Sequence, residues 1–156
     1  MQRPDPVEFR RALSRFTTGV TVITAGNAQG EVVGMTANSF TSVSLDPPTV
    51  LVSVMQGQTL QAIRSSGRFG VNVLGAGGEA ISNHFAGKPR AGWTPSFTAF
   101  DGFHALDGAL AHFGCRVVRE VDVADHVLLI AEVDLCTAAE NDPLVFYASR
   151  YRSLAA

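Results

Sequence analysis

Apolar positions change their period several times along this chain, and each change marks an element. Asp5-Pro6-Val7-Glu8 offers an N-capping carboxylate, a proline at the first helical position and an acid able to cap back. Phe9, Ala12, Leu13 and Phe16 then share one face, so the segment reads as an amphipathic helix. From Gly19 the period drops to two: Val20, Val22 and Thr24 alternate with Thr21, Ile23 and Ala25. Gly26-Asn27-Ala28-Gln29-Gly30 supplies turn chemistry before Glu31 to Ala37, which completes a β-hairpin. Thr49 to Met55 is a β-branched run after Pro47-Pro48 and predicts a third long strand.

Further along, Thr59 to Ser66 reads as a short helix, Arg68 to Leu74 as a strand, and Glu79 to Phe85 as a second short helix capped by Gly87. Lys88 to Phe100 has no period and reads as an irregular functional loop, a candidate lid. Ala109 to Val117 and His126 to Leu135 alternate as two long antiparallel partners, and Leu144 to Ala148 adds a last strand. Six or seven strands with few helices predict a mainly β fold, a small closed or nearly closed antiparallel barrel. The 156 residues make one domain, 1–156, with no repeat or linker.

Composition narrows the function classes. Twelve Lys and Arg against 14 Asp and Glu, a net charge of -2, supply no basic footprint for nucleic acid. Charged residues reach only 17%, which leaves apolar surface for dimerisation to cover. No apolar run approaches the roughly 20 residues of a membrane span. With two distant cysteines and no signal-like pattern in Met1 to Arg15, the expected compartment is the cytoplasm.

Several motifs are weighed and set aside. Gly75-Ala76-Gly77-Gly78-Glu79-Ala80 meets the loose dinucleotide fingerprint, but no second parallel strand with an acid follows, so it reads as a plain strand-to-helix turn. Cys115 reads as a small buried hydrophobe, and neither cysteine has the partners of a metal site, so none is expected. Hydrolase elbows, zinc-protease helices and P-loops are absent from the sequence.

The stretch from Gly34 to Pro48 differs in kind, because small residues and short polar side chains crowd a strand end. Backbone left bare in this way suits a flat polar heterocycle such as isoalloxazine, which needs N–H donors at one edge and an acceptor at another. The residues are equally compatible with a polar turn that caps a hairpin.

These residues carry a resemblance over nearly the whole chain. Phe16-Thr17-Thr18-Gly19-Val20-Thr21-Val22, the Thr36 to Pro48 stretch, Phe69-Gly70-Val71-Asn72-Val73-Leu74, and Pro143-Leu144-Val145-Phe146-Tyr147 leading to Tyr151 resemble the flavin reductase-like family. These are the short NAD(P)H:flavin oxidoreductases that feed two-component flavin monooxygenases. Family members share a Gly-Asp-His triplet before the long penultimate strand, where this chain has Ala124-Asp125-His126. Ala lacks the positive-φ freedom of Gly, which bears on the turn there.

The resemblance implies an FMN-binding split β-barrel of antiparallel Greek-key type, working as a homodimer. It puts Met35, Thr36, Ala37, Asn38 and Ser39 on the flavin ring and ribityl chain, flanked by Ser53, Val54 and Met55. Thr59, at a helix start, is the implied phosphate contact. His84, Phe85 and Lys88, the chain's single lysine, would approach from the other short helix and its loop. His126 would stand near the nicotinamide, with a positioning role, because hydride transfer needs stacked rings and a donor carbon about 3 to 3.5 Å from flavin N5. Taken alone, a His at a strand start is more often structural. Tyr147, Arg150, Tyr151 and Arg152 combine aromatic faces with guanidinium groups, a pairing suited to a nucleotide or equally to a solvated chain end; the resemblance implies Tyr151 near the pyridine nucleotide.

The implied activity is reduction of FMN or FAD by NADH or NADPH, with reduced flavin leaving for a separate oxygenase component. Two other classes stay open at this point: a flavin carrier or sensor without turnover, and a split-barrel oxidase that retains its flavin.

Overall fold

The computed structural model describes residues 3–154. Among the described residues there are three helices: α1 (Pro6–Leu13), α2 (Gln58–Ser66) and α3 (Glu79–Phe85). The strands are β1 (Thr18–Gly19), β2 (Thr21–Gly26), β3 (Val32–Ala37), β4 (Thr41–Leu45), β5 (Pro48–Met55) and β6 (Arg68–Leu74). There follow β7 (Phe97–Phe100), β8 (Phe103–Leu106), β9 (Ala109–Val123), β10 (His126–Ala138), β11 (Val145–Tyr147) and β12 (Arg150–Arg152).

Seven strands form one sheet in the order β3-β2-β6-β9-β10-β5-β4, and every pairing among the described residues is antiparallel. With no parallel pair, the Gly75 to Ala80 turn lacks the setting a dinucleotide fold requires. The sheet curls until β3 touches β5 without a ladder between them, so the barrel is split along that seam. β3 is therefore an edge strand, and one row of its backbone groups has no strand partner.

The apolar alternation of the sequence faces the barrel interior. Val50, Val52 and Val54 from β5 meet Val127, Leu129 and Ala131 from β10, with Ile23, Ile63, Phe69 and Val71 around them. The Phe69-Gly70-Val71-Asn72 motif is explained by close packing. Asn72 donates to the Val22 carbonyl at 3.0 Å and to Thr24 Oγ1 at 3.1 Å, and its Oδ1 accepts the Leu106 amide at 2.8 Å. From β6 it thus satisfies polar groups on β2 and β8. A Cβ at Gly70 would lie 2.7 Å from Thr24 Oγ1, so only glycine lets β2 and β6 approach this closely. Cys115 is fully buried, and burial pushes its thiol pKa up to about 12, as an inert packing residue requires.

The structure corrects the sequence expectations in several places. Among the described residues twelve strands form rather than six or seven, because β1, β4, β7, β8 and β12 are too short or too irregular to show a readable period. The segment read as irregular to Phe100 ends in a strand: Phe97–Phe100 pairs with Phe103–Leu106, and Thr98 Oγ1 donates to Asp107 at 2.8 Å. Four paired residues around an Asp101-Gly102 turn are too few to give a readable period. The chain end read as solvated forms the β11–β12 hairpin, turned by Ala148 and Ser149 at positive φ, with Tyr151 half-buried. The first helix forms as expected, capped by Asp5 Oδ1 accepting the Val7 amide at 2.8 Å, yet none of its residues is buried. Its apolar face looks outward: Phe9 is 54% and Leu13 57% exposed, with Phe16 beyond the helix at 78%. Among the described residues no helix is long and apolar enough to cross a membrane.

Candidate flavin and nucleotide site

The seam beside β3 is where most of the singled-out residues converge. Helix α3 lies over β3 and leaves a cleft at each end of the contact. The first, of about 220 Å³, is lined by Thr36, Ala37 and Asn38 from the end of β3, by Ser82 and Ala86 from α3, and by Val20, Phe146 and Tyr151. The second, of about 430 Å³, is lined by Val33 and Gly34 of β3, Gln58 and Thr59 at the start of α2, and His84, Phe85 and Gly87.

Local chemistry holds these walls in place. Thr36 Oγ1 donates to the Ser82 carbonyl at 2.6 Å, tying the strand end to α3. The Tyr151 hydroxyl lies 2.8 Å from Ser82 Oγ and 3.1 Å from Asn83 Oδ1, so the C-terminal hairpin clamps the same turn of helix. Thr21 Oγ1 donates to the Ala37 carbonyl at 2.7 Å, where the β2–β3 ladder stops. Beyond it Asn38 is exposed, and Phe40 turns inward to pack on Phe113 with ring centroids 5.3 Å apart. Exposed Asn38 is thus strung between buried Ala37 and half-buried Phe40. A Cβ at Gly34 would lie 2.8 Å from the Ile23 carbonyl oxygen and 3.1 Å from the Phe85 ring, so glycine is needed for α3 to rest on β3.

Ser39 and Ser53 meet across the seam: Ser39 Oγ donates to the Ser53 carbonyl at 3.0 Å and accepts the Ser53 amide at 3.1 Å. In the β5–β10 ladder Met55 stands opposite His126 and Ser53 opposite Leu128, which puts Ser53, Met55 and His126 on the outer face of that sheet. His126 Nδ1 lies 2.8 Å from Asp125 Oδ1, an arrangement that fixes the imidazole ring. The hydrogen bond with His126 holds the Asp125 carboxyl below its usual range.

Not every predicted residue presents its side chain to a cleft. Val54 is fully buried and Met35 packs against the main core, so both could meet a ligand only through backbone. Lys88 is exposed one residue beyond the second cleft, with its amide bonded to the Asn83 carbonyl at 2.9 Å. His84 lies edge-on to Phe85 at 5.0 Å and to Trp93 at 5.5 Å between ring centroids, so Trp93 anchors the loop after α3. His112 is structural, its Nε2 donating to the Leu106 carbonyl at 2.9 Å. Sequence reasoning missed Ser82, Asn83, Phe146 and Gln58. Nothing in the run Ile81-Ser82-Asn83 distinguishes a wall residue from a helix surface, because its neighbours come from β3 and β12, far away in the chain.

The chain is similar to known proteins along nearly its whole length. The flavin reductase like domain matches residues 13–155. The NADH-dependent flavin reductase StyB of Pseudomonas fluorescens is 44% identical over 151 residues, covering 94% of this chain and 89% of that protein. The styrene monooxygenase flavin reductase SMOB from Pseudomonas putida S12 superposes with a TM-score of 0.89 at 44% identity, covering 95% of this chain and 97% of that one. The Streptomyces globisporus NADH:FAD oxidoreductase SgcE6, in complex with NAD and FAD fragments, gives 0.87 at 36% identity, with 99% and 98% covered. Edge strand, seam and clefts therefore sit in a fold already known to carry flavin reductases, and the chain belongs to the flavin reductase-like family.

Proposed function

We propose that this protein reduces free flavin with NADH or NADPH and releases the product to a separate oxygenase component. The observation that carries the reading is the edge of β3: Thr36, Ala37 and Asn38 present unladdered backbone beside a cleft, held from behind by Thr21, Ser82 and Tyr151. Backbone amides and carbonyls at such an edge match the donor and acceptor edges of isoalloxazine. The flavin supplies a carbon-nitrogen ring system whose N5 accepts hydride from the dihydronicotinamide.

The chain's own residues bind and orient. Thr36 to Ser39 hold the ring edge and ribityl chain, and Ser53 and Met55 border the ring across the seam. The open second cleft, with Thr59 at its wall and Lys88 nearby, receives the phosphate end. His126, its ring fixed by Asp125, positions the nicotinamide face to face with the flavin, so that donor carbon and acceptor reach about 3 to 3.5 Å. No group on this chain needs to move a proton during the transfer. Tyr151 keeps the first cleft in shape through Ser82 and Asn83 and borders the nucleotide. Shallow clefts at a barrel rim suit a product that has to leave.

The reading includes a homodimer. The outward apolar face of α1, with Val43 and Leu45 of β4 55% and 92% exposed, is apolar surface that a second copy would cover. It also includes a cytoplasmic setting, supported by two free cysteines, one of them exposed.

The test is anaerobic mixing of the protein with flavin and NADH or NADPH while the flavin absorbance is followed. Bleaching well above the protein-free rate is the expected result. A rate equal to the protein-free one overturns the reductase reading in favour of a carrier or sensor, and a stoichiometric, non-exchanging flavin overturns it in favour of an oxidase.

A further inference from the structure

Beyond the two clefts at α3, the turn from β2 to β3 stands over the outer face of α2 and closes a third cleft of about 430 Å³. Gln58, Gln61, Ala62 and Ser65 recur at helical spacing along one wall. Ala28, Glu31 and Val33 form the other. Val33 and Gln58 also line the cleft in which the reductase reading seats the flavin phosphate, so the two spaces meet at that pair.

We propose that this third cleft takes the adenosine half of flavin adenine dinucleotide and makes FAD the preferred flavin over FMN. The inference rests on the flavin site described above and adds to it the identity of the dinucleotide. The wall chemistry matches adenosine. Ala28 and Val33 offer apolar surface to the faces of a purine, while the Gln61 amide and the Ser65 hydroxyl can both donate and accept at its edge. Glu31 is held in place by Asn27, whose Nδ2 donates to Glu31 Oε2 at 3.1 Å and whose Oδ1 accepts the Glu31 amide at 2.9 Å. The other carboxylate oxygen remains able to accept from the ribose diol.

Charge argues in the same direction. No Lys or Arg lines the third cleft, and Glu31 does. The phosphate that ends FMN is seated in the second cleft and gains no contact with these walls. Each phosphoryl of an internal pyrophosphate carries a single charge, and the adenosine beyond it is neutral. The cleft thus rewards a flavin extended past its phosphate and offers nothing to one that ends in a phosphate.

Adenosine also occurs in the pyridine nucleotide, so the experiment has to separate the two sources. Apparent KM values for FAD and for FMN at saturating NADH, and for NADH with FMN as acceptor, are measured in the whole chain and in Gln61→Trp and Ser65→Trp. Both positions are exposed, so an indole fills the cleft without entering the core. The expected result is a KM for FMN about ten-fold above that for FAD in the unsubstituted chain, collapsing toward equality in both variants. Equal KM values in the unsubstituted chain overturn the inference, as does a ratio that neither variant changes. A rise confined to the KM for NADH also overturns it and assigns the cleft to the pyridine nucleotide. A chain that reduces neither flavin overturns the reductase reading itself, whereas FMN and FAD reduced alike overturn only the preference. FMN turnover by the variants reports that they are folded.

Discussion

The Ser39 hydroxyl spans the split in the barrel, donating to the Ser53 carbonyl at 3.0 Å and accepting the Ser53 amide at 3.1 Å. One side chain therefore performs, at the seam between β3 and β5, what a pair of ladder hydrogen bonds performs inside the sheet. It also sets the height at which the exposed main chain of Asn38 stands above the outer face of β5. In Ser39→Ala the Ser53 amide and carbonyl lose both partners, so stability should fall by about 1 kcal/mol. The apparent KM for flavin should rise at the same time. Urea unfolding and a flavin titration check the two parts, and an unchanged KM separates Ser39 from the site.

Gly34 decides how closely α3 rests on β3. In Gly34→Ala the new methyl meets the Ile23 carbonyl and the Phe85 ring, and such overpacking costs roughly 1–3 kcal/mol. Because the displaced helix carries Ser82 and His84, walls of both clefts, flavin affinity should fall more than thermal stability alone explains. Comparing flavin Kd with the urea midpoint in the same variant measures that difference.

Ala124 turns β9 into β10 with φ at 53°, a left-handed conformation in which an alanine is strained. Ala124→Gly, which restores the triplet of the family, should stabilise the chain by about 1 kcal/mol. Denaturant unfolding reads the gain directly. A loss of stability would mean that the turn needs the methyl group.

His126→Ala should slow flavin reduction roughly ten- to hundred-fold, since misplacing the donor by an ångström is that costly. Flavin Kd should change much less. Stopped-flow reduction at saturating NADH, set beside an equilibrium flavin titration, distinguishes the two. Equal losses in both would move His126 into the flavin site.

The Asp125 carboxyl has its pKa lowered in the folded chain, first by its hydrogen bond with His126. A depressed folded value makes this a contribution present above the unfolded carboxylate pKa of about 3.9 and lost as pH falls through the folded value. The carboxyl is exposed, so the effect is small, and Asp125→Asn should lessen the acid-side loss of stability without shifting the neutral plateau. Urea midpoints measured between neutral and acid pH, in both forms, check it.

Local pattern was enough for elements whose periods run several residues. Arg68–Leu74 and Glu79–Phe85 form with the boundaries read from the sequence, because each period begins and ends at a turn signal in the chain itself. In the family segment Phe69 to Leu74, Gly70 and Asn72 are packing requirements, and Gly34, ahead of the Thr36 segment, is another. The polar run Thr36 to Ser39 was visible as a bare strand end. From the residues alone a heterocycle site and a polar turn stayed evenly balanced, because the choice depends on β3 being an edge strand.

Alternation and turn chemistry in this chain dictate an antiparallel β structure with short helices, and they dictate which side chains enter its core. Tertiary structure alone decided that β3 lies at the open seam, that Ser82 backs both Thr36 and Tyr151, that Phe97–Phe100 finds a partner strand, and that the apolar face of α1 finds no cover among the described residues. The division has one physical reason. Periodicity records whether a residue is turned toward apolar surroundings, a property of its own few neighbours in sequence. A cleft is made by walls from strands and helices dozens of residues apart, and which walls meet is settled only when the whole sheet closes on itself.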